Sequence, residues 1–354
     1  MPLSAELLPA ARIVDANLNR ASEGLRVIED YARFALGDAF LAETTKQIRH
    51  RLTAATSSLT AADRLVARDT QGDVGTQITT PQEFVRTSAR QVAAASSARL
   101  AQALRTIEEY GKLLFPANAV AEIEALRYLT YTLEKAYQNL AQAKERLSSC
   151  RLYVLIDTCV SEADFIAQVR AIVTSGANCL QLRDKQANDR TLVQRGKLLR
   201  SLLQEYPESR TLFVMNDRPD LALLTRADGV HVGQEELTVS EVRQVVGSEM
   251  LVGVSTHNLV QAKQAILDGA SYIGCGPTFP SQTKSFEEFP GLNFLKQVAS
   301  ELAIPAFAIG GIDESNLPQV LATGFTRVAV SSAITRAPSP ATATCTLAKM
   351  LANN

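Results

Sequence analysis

The spacing of apolar and polar positions changes near residue 150. Upstream, apolar residues recur every three or four positions and glycine is rare, which predicts helices near 17–36, 40–60, 82–114 and 118–147. Downstream, short β-branched runs alternate with helical stretches. The runs predict strands over Leu152–Asp157, Cys179–Lys185, Thr211–Asn216, Gly229–Gly233, Met250–Thr256, Tyr272–Pro277, Ile304–Gly311 and Arg327–Ala333. Most of the intervening segments are long enough for a helix, although the third and fourth strands are close together. Strand–helix alternation implies parallel strands with helical crossovers. Eight such units in about 200 residues fit a closed (β/α)8 TIM barrel. An open doubly wound sheet is the alternative, but no Gly-rich turn follows the first strand and the count favours closure. The expected fold class is therefore α/β, with the barrel over 148–354 and an all-α domain over 1–147. Residues 138–149 read as the last helix and a short linker.

The helical half contains an internal echo. Gly24-Leu25-Arg26-Val27-Ile28-Glu29-Asp30-Tyr31-Ala32 resembles Ala103-Leu104-Arg105-Thr106-Ile107-Glu108-Glu109-Tyr110-Gly111. Leu25, Ile28 and Ala32 fall on one helical face, and Leu104, Ile107 and Gly111 match them. Arg26 and Arg105 each precede an acid by three residues, a spacing that allows a local ion pair. Two readings stand side by side: a pair of solvated amphipathic helices, or a polar cleft lined by Asn17, Asn19, Arg20, Glu23, Arg26 and Arg105. The Gly- and Asp-rich stretch from Arg68 to Thr76 is either a phosphate- or cation-binding loop or a simple turn.

Composition narrows the function classes. A formal net charge of -1 gives no basic excess for nucleic acid or an anionic membrane. No apolar run is long enough to span a bilayer and no signal peptide is visible. The five cysteines are widely spaced without a C-x-x-C pair, which points to reduced thiols in a cytoplasmic setting. Three histidines are too few for a His-rich metal site. A homo-oligomer is compatible with the sequence.

In a (β/α)8 barrel the chemistry sits at the C-terminal strand ends. Here those ends are polar. Gln181, Arg183 and Lys185 share one face of the second strand, while Leu180 and Leu182 share the other. Two cations and an amide on one face suit a polyanion such as pyrophosphate. The third strand runs into Asn216-Asp217 and the fourth leads to Glu236. Asp217, then Glu236, are the candidate ligands for a hard cation such as Mg2+; a helix N-cap is the structural alternative for Asp217. Ser255 ends the fifth strand, with His257 the base nearest in sequence, and suits a hydrogen-bonding role. His231 reads as a satisfied core histidine. Gly310-Gly311 and Ser331-Ser332, after the seventh and eighth strands, form the pair of loops that often bind a monophosphate in such barrels.

These motifs together resemble thiamine-phosphate synthases. The resemblance rests on Gln181-Leu182-Arg183-Asp184-Lys185, Asn216-Asp217, Ala227-Asp228-Gly229-Val230-His231-Val232-Gly233-Gln234-Glu235, Gly253-Val254-Ser255, Ser281-Gln282-Thr283-Lys284, Ile309-Gly310-Gly311-Ile312 and Ser331-Ser332-Ala333-Ile334. They run in order through the whole barrel. The resemblance implies joining hydroxymethylpyrimidine pyrophosphate to a thiazole monophosphate, with release of pyrophosphate, and of CO2 where the thiazole is carboxylated. It implies that Gln181, Leu182, Arg183, Asp184, Lys185, Asn216, Ser255 and Lys284 hold the pyrimidine pyrophosphate, with Arg183, Lys185, Ser255 and Lys284 the catalytic set. Ser281, Gln282, Thr283, Gly310, Gly311, Ser331 and Ser332 would hold the thiazole phosphate, and Asp217 and Glu236 the Mg2+. Two positions depart from the family pattern. Glu236 stands where Asp is common, so its contact to the metal can run through water, and Ser281 stands where Thr is common.

Val14-Asp15-Ala16-Asn17-Leu18-Asn19-Arg20-Ala21-Ser22-Glu23-Gly24-Leu25-Arg26 resembles the domain fused before this synthase in some bacteria, which is associated with phosphorylating hydroxymethylpyrimidine phosphate. No kinase-type Gly-rich loop accompanies it. Alternatives for the barrel are a thiazole tautomerase, which needs no pyrophosphate site, and a ligand-binding regulator without turnover.

Overall fold

The computed structural model describes residues 4–69, 72, 85–159, 161–280 and 290–353. The chain forms two compact units, Met1–Ala141 and Gln142–Asn354. No helix among the described residues is long and apolar enough to cross a membrane.

The first unit is helical. Its elements are α1 (Leu8–Asp30), a π-helical turn (Tyr31–Leu36), α2 (Ala39–Ala55), α3 (Ala61–Ala67), α4 (Ala89–Gly111) and α5 (Ala117–Arg146), the last residues of which belong to the second unit. Helix α1 starts nine residues before the expected position because Pro9 sits in its first turn, where a missing N–H costs nothing. Asp38 caps α2 through the Leu41 amide at 2.8 Å. Helices α1 and α4 pack along their lengths. They meet at Gly24, where a methyl group would stand 3.3 Å from the Ser96 carbonyl.

The sequence echo becomes a repeated ion pair. Glu29 on α1 pairs with Arg49 on α2 at 3.2 Å, and Glu108 on α4 pairs with Arg127 on α5 at 2.8 Å. Arg105 also reaches Glu108 at 2.6 Å, the expected local pair. Asn19, Arg20, Glu23 and Arg26 are exposed, whereas Asn17 is buried and donates to the Ile13 carbonyl. Arg68, at the edge of the Gly- and Asp-rich stretch, grips the buried Asp15 carboxylate with two bonds of 2.9 and 3.0 Å. Most of the rest of that stretch lies outside the described residues.

The second unit is a closed barrel of eight parallel strands in sequential order. They are β1 (Leu152–Ile156), β2 (Cys179–Leu182), β3 (Leu212–Asn216), β4 (Gly229–Val232), β5 (Leu251–Thr256), β6 (Tyr272–Cys275), β7 (Ala306–Ile309) and β8 (Val328–Val330). Closure comes from β8 pairing with β1, with Val328 opposite Leu152. Alternate residues point inward, and Tyr153, Cys179, Val214, Leu251, Tyr272, Phe307 and Ala329 fill the interior with Leu147 and Cys150. Tyr153, Tyr272 and Phe307 pack edge-on or tilted with centroids 5.3–6.0 Å apart. A methyl on Gly253 would overlap the Tyr272 ring, so glycine is what lets that ring lie across β5. The short gap between β3 and β4 holds only α6 (Pro219–Leu224).

Candidate active site

The strand ends of the barrel bring the polar residues together. Strand β2 stops at Leu182, and the Arg183 amide donates to the Ile156 carbonyl at 2.8 Å as the last rung to β1. Asp184 and Lys185 therefore lie past the ladder in the loop, with Arg183 at its edge. Gln181 points inward, buried, and donates to the Tyr153 hydroxyl at 2.7 Å. Tyr153 in turn lies 3.0 Å from the Tyr272 hydroxyl. Leu182 faces away from the interior and is fully buried. Asp184 turns back to β1: Thr158 donates its hydroxyl at 2.5 Å, and the Gln186 and Ala187 amides donate at 2.9 and 3.1 Å. Burial pushes its pKa up, but these donors outweigh that and hold it below the usual carboxylate range.

Asp217 has a left-handed backbone, φ 60°, and its amide donates to the His231 carbonyl at 2.8 Å. Only Asn, Asp and Gly visit that region readily. Helix α6 starts instead from Arg218 and Pro219 and has no side-chain cap, so Asp217 is not its N-cap. Its carboxylate accepts from Asn216 Nδ2 at 2.6 Å. Lys185 Nζ stands 3.7 Å from Asp217 Oδ2 and 3.6 Å from Glu236 Oε1. Burial, then the Glu236 charge, raise the Asp217 pKa, while Lys185, Asn216 and Arg183 pull it down.

Ser255 Oγ lies 3.1 Å from His231 Nε2. His257, the base nearest Ser255 in sequence, is turned instead to the Gly276 carbonyl at 2.6 Å. His231 is not the satisfied core residue its apolar run suggested, since its Nδ1 is buried without a partner among the described residues. Burial and the nearby Arg183 push its pKa down to about 4. Inward alternation with Gly229 and Gly233 was the sequence signal that could have marked it.

After β7, Gly310 and Gly311 have φ of 100° and 64°. They pack on the loop after β6, where the Thr278 and Phe279 amides donate to the Ile309 and Gly310 carbonyls at 2.9 and 3.0 Å. Ser331 and Ser332 are exposed after β8, with the Ser331 hydroxyl donating to the Leu155 carbonyl at 3.1 Å. Ser281, Gln282, Thr283 and Lys284 lie outside the described residues. Arg183, Lys185, Asn216, Asp217, His231, Glu236 and Ser255 thus form one connected group on β2 to β5 and the loops that follow them.

A family model described as thiamine monophosphate synthase matches residues 152–334, the whole barrel. A thiamine-phosphate synthase of Rhodopirellula baltica is 45% identical over 341 residues, covering 94% of this chain and 90% of that protein. The chain belongs to the thiamine monophosphate synthase family. A second such relative, from a Synechocystis species, is 42% identical and covers 96% of both chains. The thiamine phosphate pyrophosphorylase of Pyrococcus furiosus is 33% identical, with TM-score 0.52, and covers 58% of this chain and 96% of that one. Like other thiamine monophosphate synthases, the chain is a transferase of thiamine biosynthesis. The ThiD2 family model matches residues 12–136 in the helical unit.

Proposed function

We propose that the barrel joins hydroxymethylpyrimidine pyrophosphate to the thiazole monophosphate, either plain or carboxylated, and releases pyrophosphate. The observation that carries this is the grouping of Arg183 and Lys185 with the Asp217 and Glu236 carboxylates at one barrel mouth. A pyrophosphate leaving group needs preorganised positive charge where its own charge develops.

Mg2+ fits this mouth. No cluster of three or more His, Cys, Asp or Glu that could hold a metal occurs among the described residues. Mg2+ needs no such cage, since it commonly takes one or two carboxylates together with substrate phosphates and waters. Asp217 and Glu236 repel one another through space and already share a cation, the signature of a site built for positive charge. When bound, the ion would neutralise pyrophosphate oxygens. Arg183 offers a planar fork and Lys185 a point charge to the same group. Gln181, held by Tyr153, and Asn216 offer amide groups to the heterocycle. Gly310, Gly311, Ser331 and Ser332 suit the thiazole phosphate, with Ser281, Gln282, Thr283 and Lys284 assigned by family pattern. Positioning of the thiazole nitrogen against the pyrimidine methylene does most of the remaining work.

The helical half, which we delimit at about 1–147, is assigned a kinase-like role that supplies the pyrimidine pyrophosphate, in keeping with the ThiD2 match. The widely spaced thiols suit a cytoplasmic setting.

Incubation of the chain with both phosphorylated precursors and Mg2+ should give thiamine phosphate and pyrophosphate, and Arg183→Ala should lower turnover by about 100-fold or more. Full activity in Arg183→Ala would remove the site assignment. Replacing the pyrimidine pyrophosphate by its monophosphate plus ATP tests the helical half: product then requires the kinase step.

A further inference from the structure

His231 projects inward from β4 between Ser255 on β5 and Tyr272 on β6. Its ring lies 5.5 Å from the Tyr272 centroid, tilted by 30°, and a methyl on Gly274 would rest 3.4 Å from its Cε1. Nε2 meets Ser255 Oγ at 3.1 Å, while Nδ1 is sealed from solvent and has no partner among the described residues. An imidazolium would also donate to Ser255 through Nε2, so the choice of donor turns on the neutral tautomers alone.

A neutral imidazole carries one N–H. With the hydrogen on Nδ1, a buried donor would face nothing, and orphaned buried donors are rarer than under-used acceptors. With the hydrogen on Nε2, the contact to Ser255 is satisfied and Nδ1 keeps a bare lone pair. The second tautomer is favoured. It has a consequence for Ser255: the hydroxyl oxygen accepts from His231, so its own hydrogen is released toward another acceptor. An anionic oxygen at the mouth is the acceptor that the surrounding cations would bring there.

We propose that His231 is a positioning residue that orients the Ser255 hydroxyl, through Nε2, to donate to an oxygen of the departing pyrophosphate. This rests on the functional reading above. No proton changes hands: the methylene–oxygen bond breaks with its electron pair going to pyrophosphate, the thiazole nitrogen forms the new bond to carbon, and the Ser255 hydrogen bond strengthens as that oxygen gains charge. A general-base role for His231 has no use here, because the nucleophile is a nitrogen lone pair with no proton to lose.

The test is a double-mutant cycle on the full chain, with both precursors and steady-state kinetics, and a thermal midpoint for each variant. His231→Phe keeps the ring packing on Tyr272 and removes the donor. It should lower kcat about tenfold, the size of one uncharged hydrogen bond felt at the transition state, and leave KM for the thiazole phosphate unchanged. His231→Gln places an amide N–H near the Nε2 position and should recover most of the loss. In Ser255→Ala, adding His231→Phe should change kcat by less than about twofold, because the two act in series. Should His231→Phe fail to fold, His231→Asn replaces it, since its amide stops short of Ser255 and must show the same loss. Wild-type kcat in the donor-free variant, glutamine no better than phenylalanine, or losses that multiply in the cycle would each overturn the proposal. A wild-type chain without turnover sinks the functional reading and this proposal with it, whereas turnover with multiplying losses sinks this proposal alone.

Discussion

Lys185 Nζ lies 3.7 Å from Asp217 Oδ2, so a cation from the loop after β2 stands beside a carboxylate that follows β3 on a left-handed backbone. Glu236 closes on the same ammonium from the loop after β4. The site therefore concentrates negative charge and sets the Lys185 ammonium between the two carboxylates, with the Arg183 charge also acting on Asp217.

Glu236 is the testable half of that pair. Its charge helps to raise the Asp217 pKa. Glu236→Gln removes that repulsion, so Asp217 ionises at lower pH and the acid limb of the activity profile moves down. The variant also loses one carboxylate, and the Mg2+ concentration for half-maximal turnover should rise about tenfold. Glu236→Asp, with the same charge and shorter reach, should stay within about threefold of wild type. Mg2+ titrations at several pH values measure both.

Acid stability should depend on His231. Its pKa is about 4 in the fold, below the ordinary 6.5. Between those values the unfolded chain binds the proton and the fold does not, so stability falls as pH drops through that window. The loss approaches about 3 kcal/mol by pH 4. Urea unfolding of wild type and His231→Phe at pH 7.5 and pH 4.5 should show the smaller pH dependence in the variant.

Tyr153→Phe removes the hydroxyl that joins Gln181 to Tyr272. Two buried polar groups then lack a partner, at a cost of about 2 kcal/mol. The freed Gln181 should also raise KM for the pyrimidine pyrophosphate, whereas KM for the thiazole phosphate should not move.

The repeated ion pairs of the helical unit differ in depth. Arg127 and Glu108 are buried, while Arg49 and Glu29 are partly open. Arg127→Met should destabilise that unit by about 2 kcal/mol, because it removes the buried one of two guanidinium partners of Glu108 and leaves only the more exposed Arg105. Arg49→Met should cost less than about 1 kcal/mol. Thermal unfolding of the full chain separates them.

Gly310→Ala places a methyl 2.8 Å from Pro277 Cα at φ 100°. Backbone strain of about 1–3 kcal/mol follows, and the loop must shift. The expected kinetic effect is a higher KM for the thiazole phosphate.

The eight strands were legible because buried parallel strands are short apolar runs, and β3 and β5 lie within one residue of their expected bounds at each end. What the sequence could not supply was contact between strands. His231 and Ser255 meet because β4 and β5 pair with His231 opposite Gly253, which leaves Ser255 one inward step further toward the mouth. Likewise nothing local says that Tyr153 and Tyr272 share a bond, or that Thr158 takes Asp184. Strand ends were overextended where polar residues followed an apolar run: Arg183 and Lys185 kept the alternation in sequence, but the ladder makes its last rung at Arg183 and Lys185 lies beyond it. The short α3 was also missed, being too short to show a period, and the helix expected over 17–36 was not seen to turn π-helical from Tyr31.

Leu147 and Cys150 precede the first strand, yet both belong to the barrel's interior cluster, and Arg327 donates to their carbonyls at 3.4 and 3.1 Å. The segment that looks like a tether in the sequence is thus a stopper in the barrel floor. Scission at the apparent boundary after residue 147 would pull out one of its two apolar teeth. A barrel produced alone has to begin far enough upstream to keep the cork in the bottle.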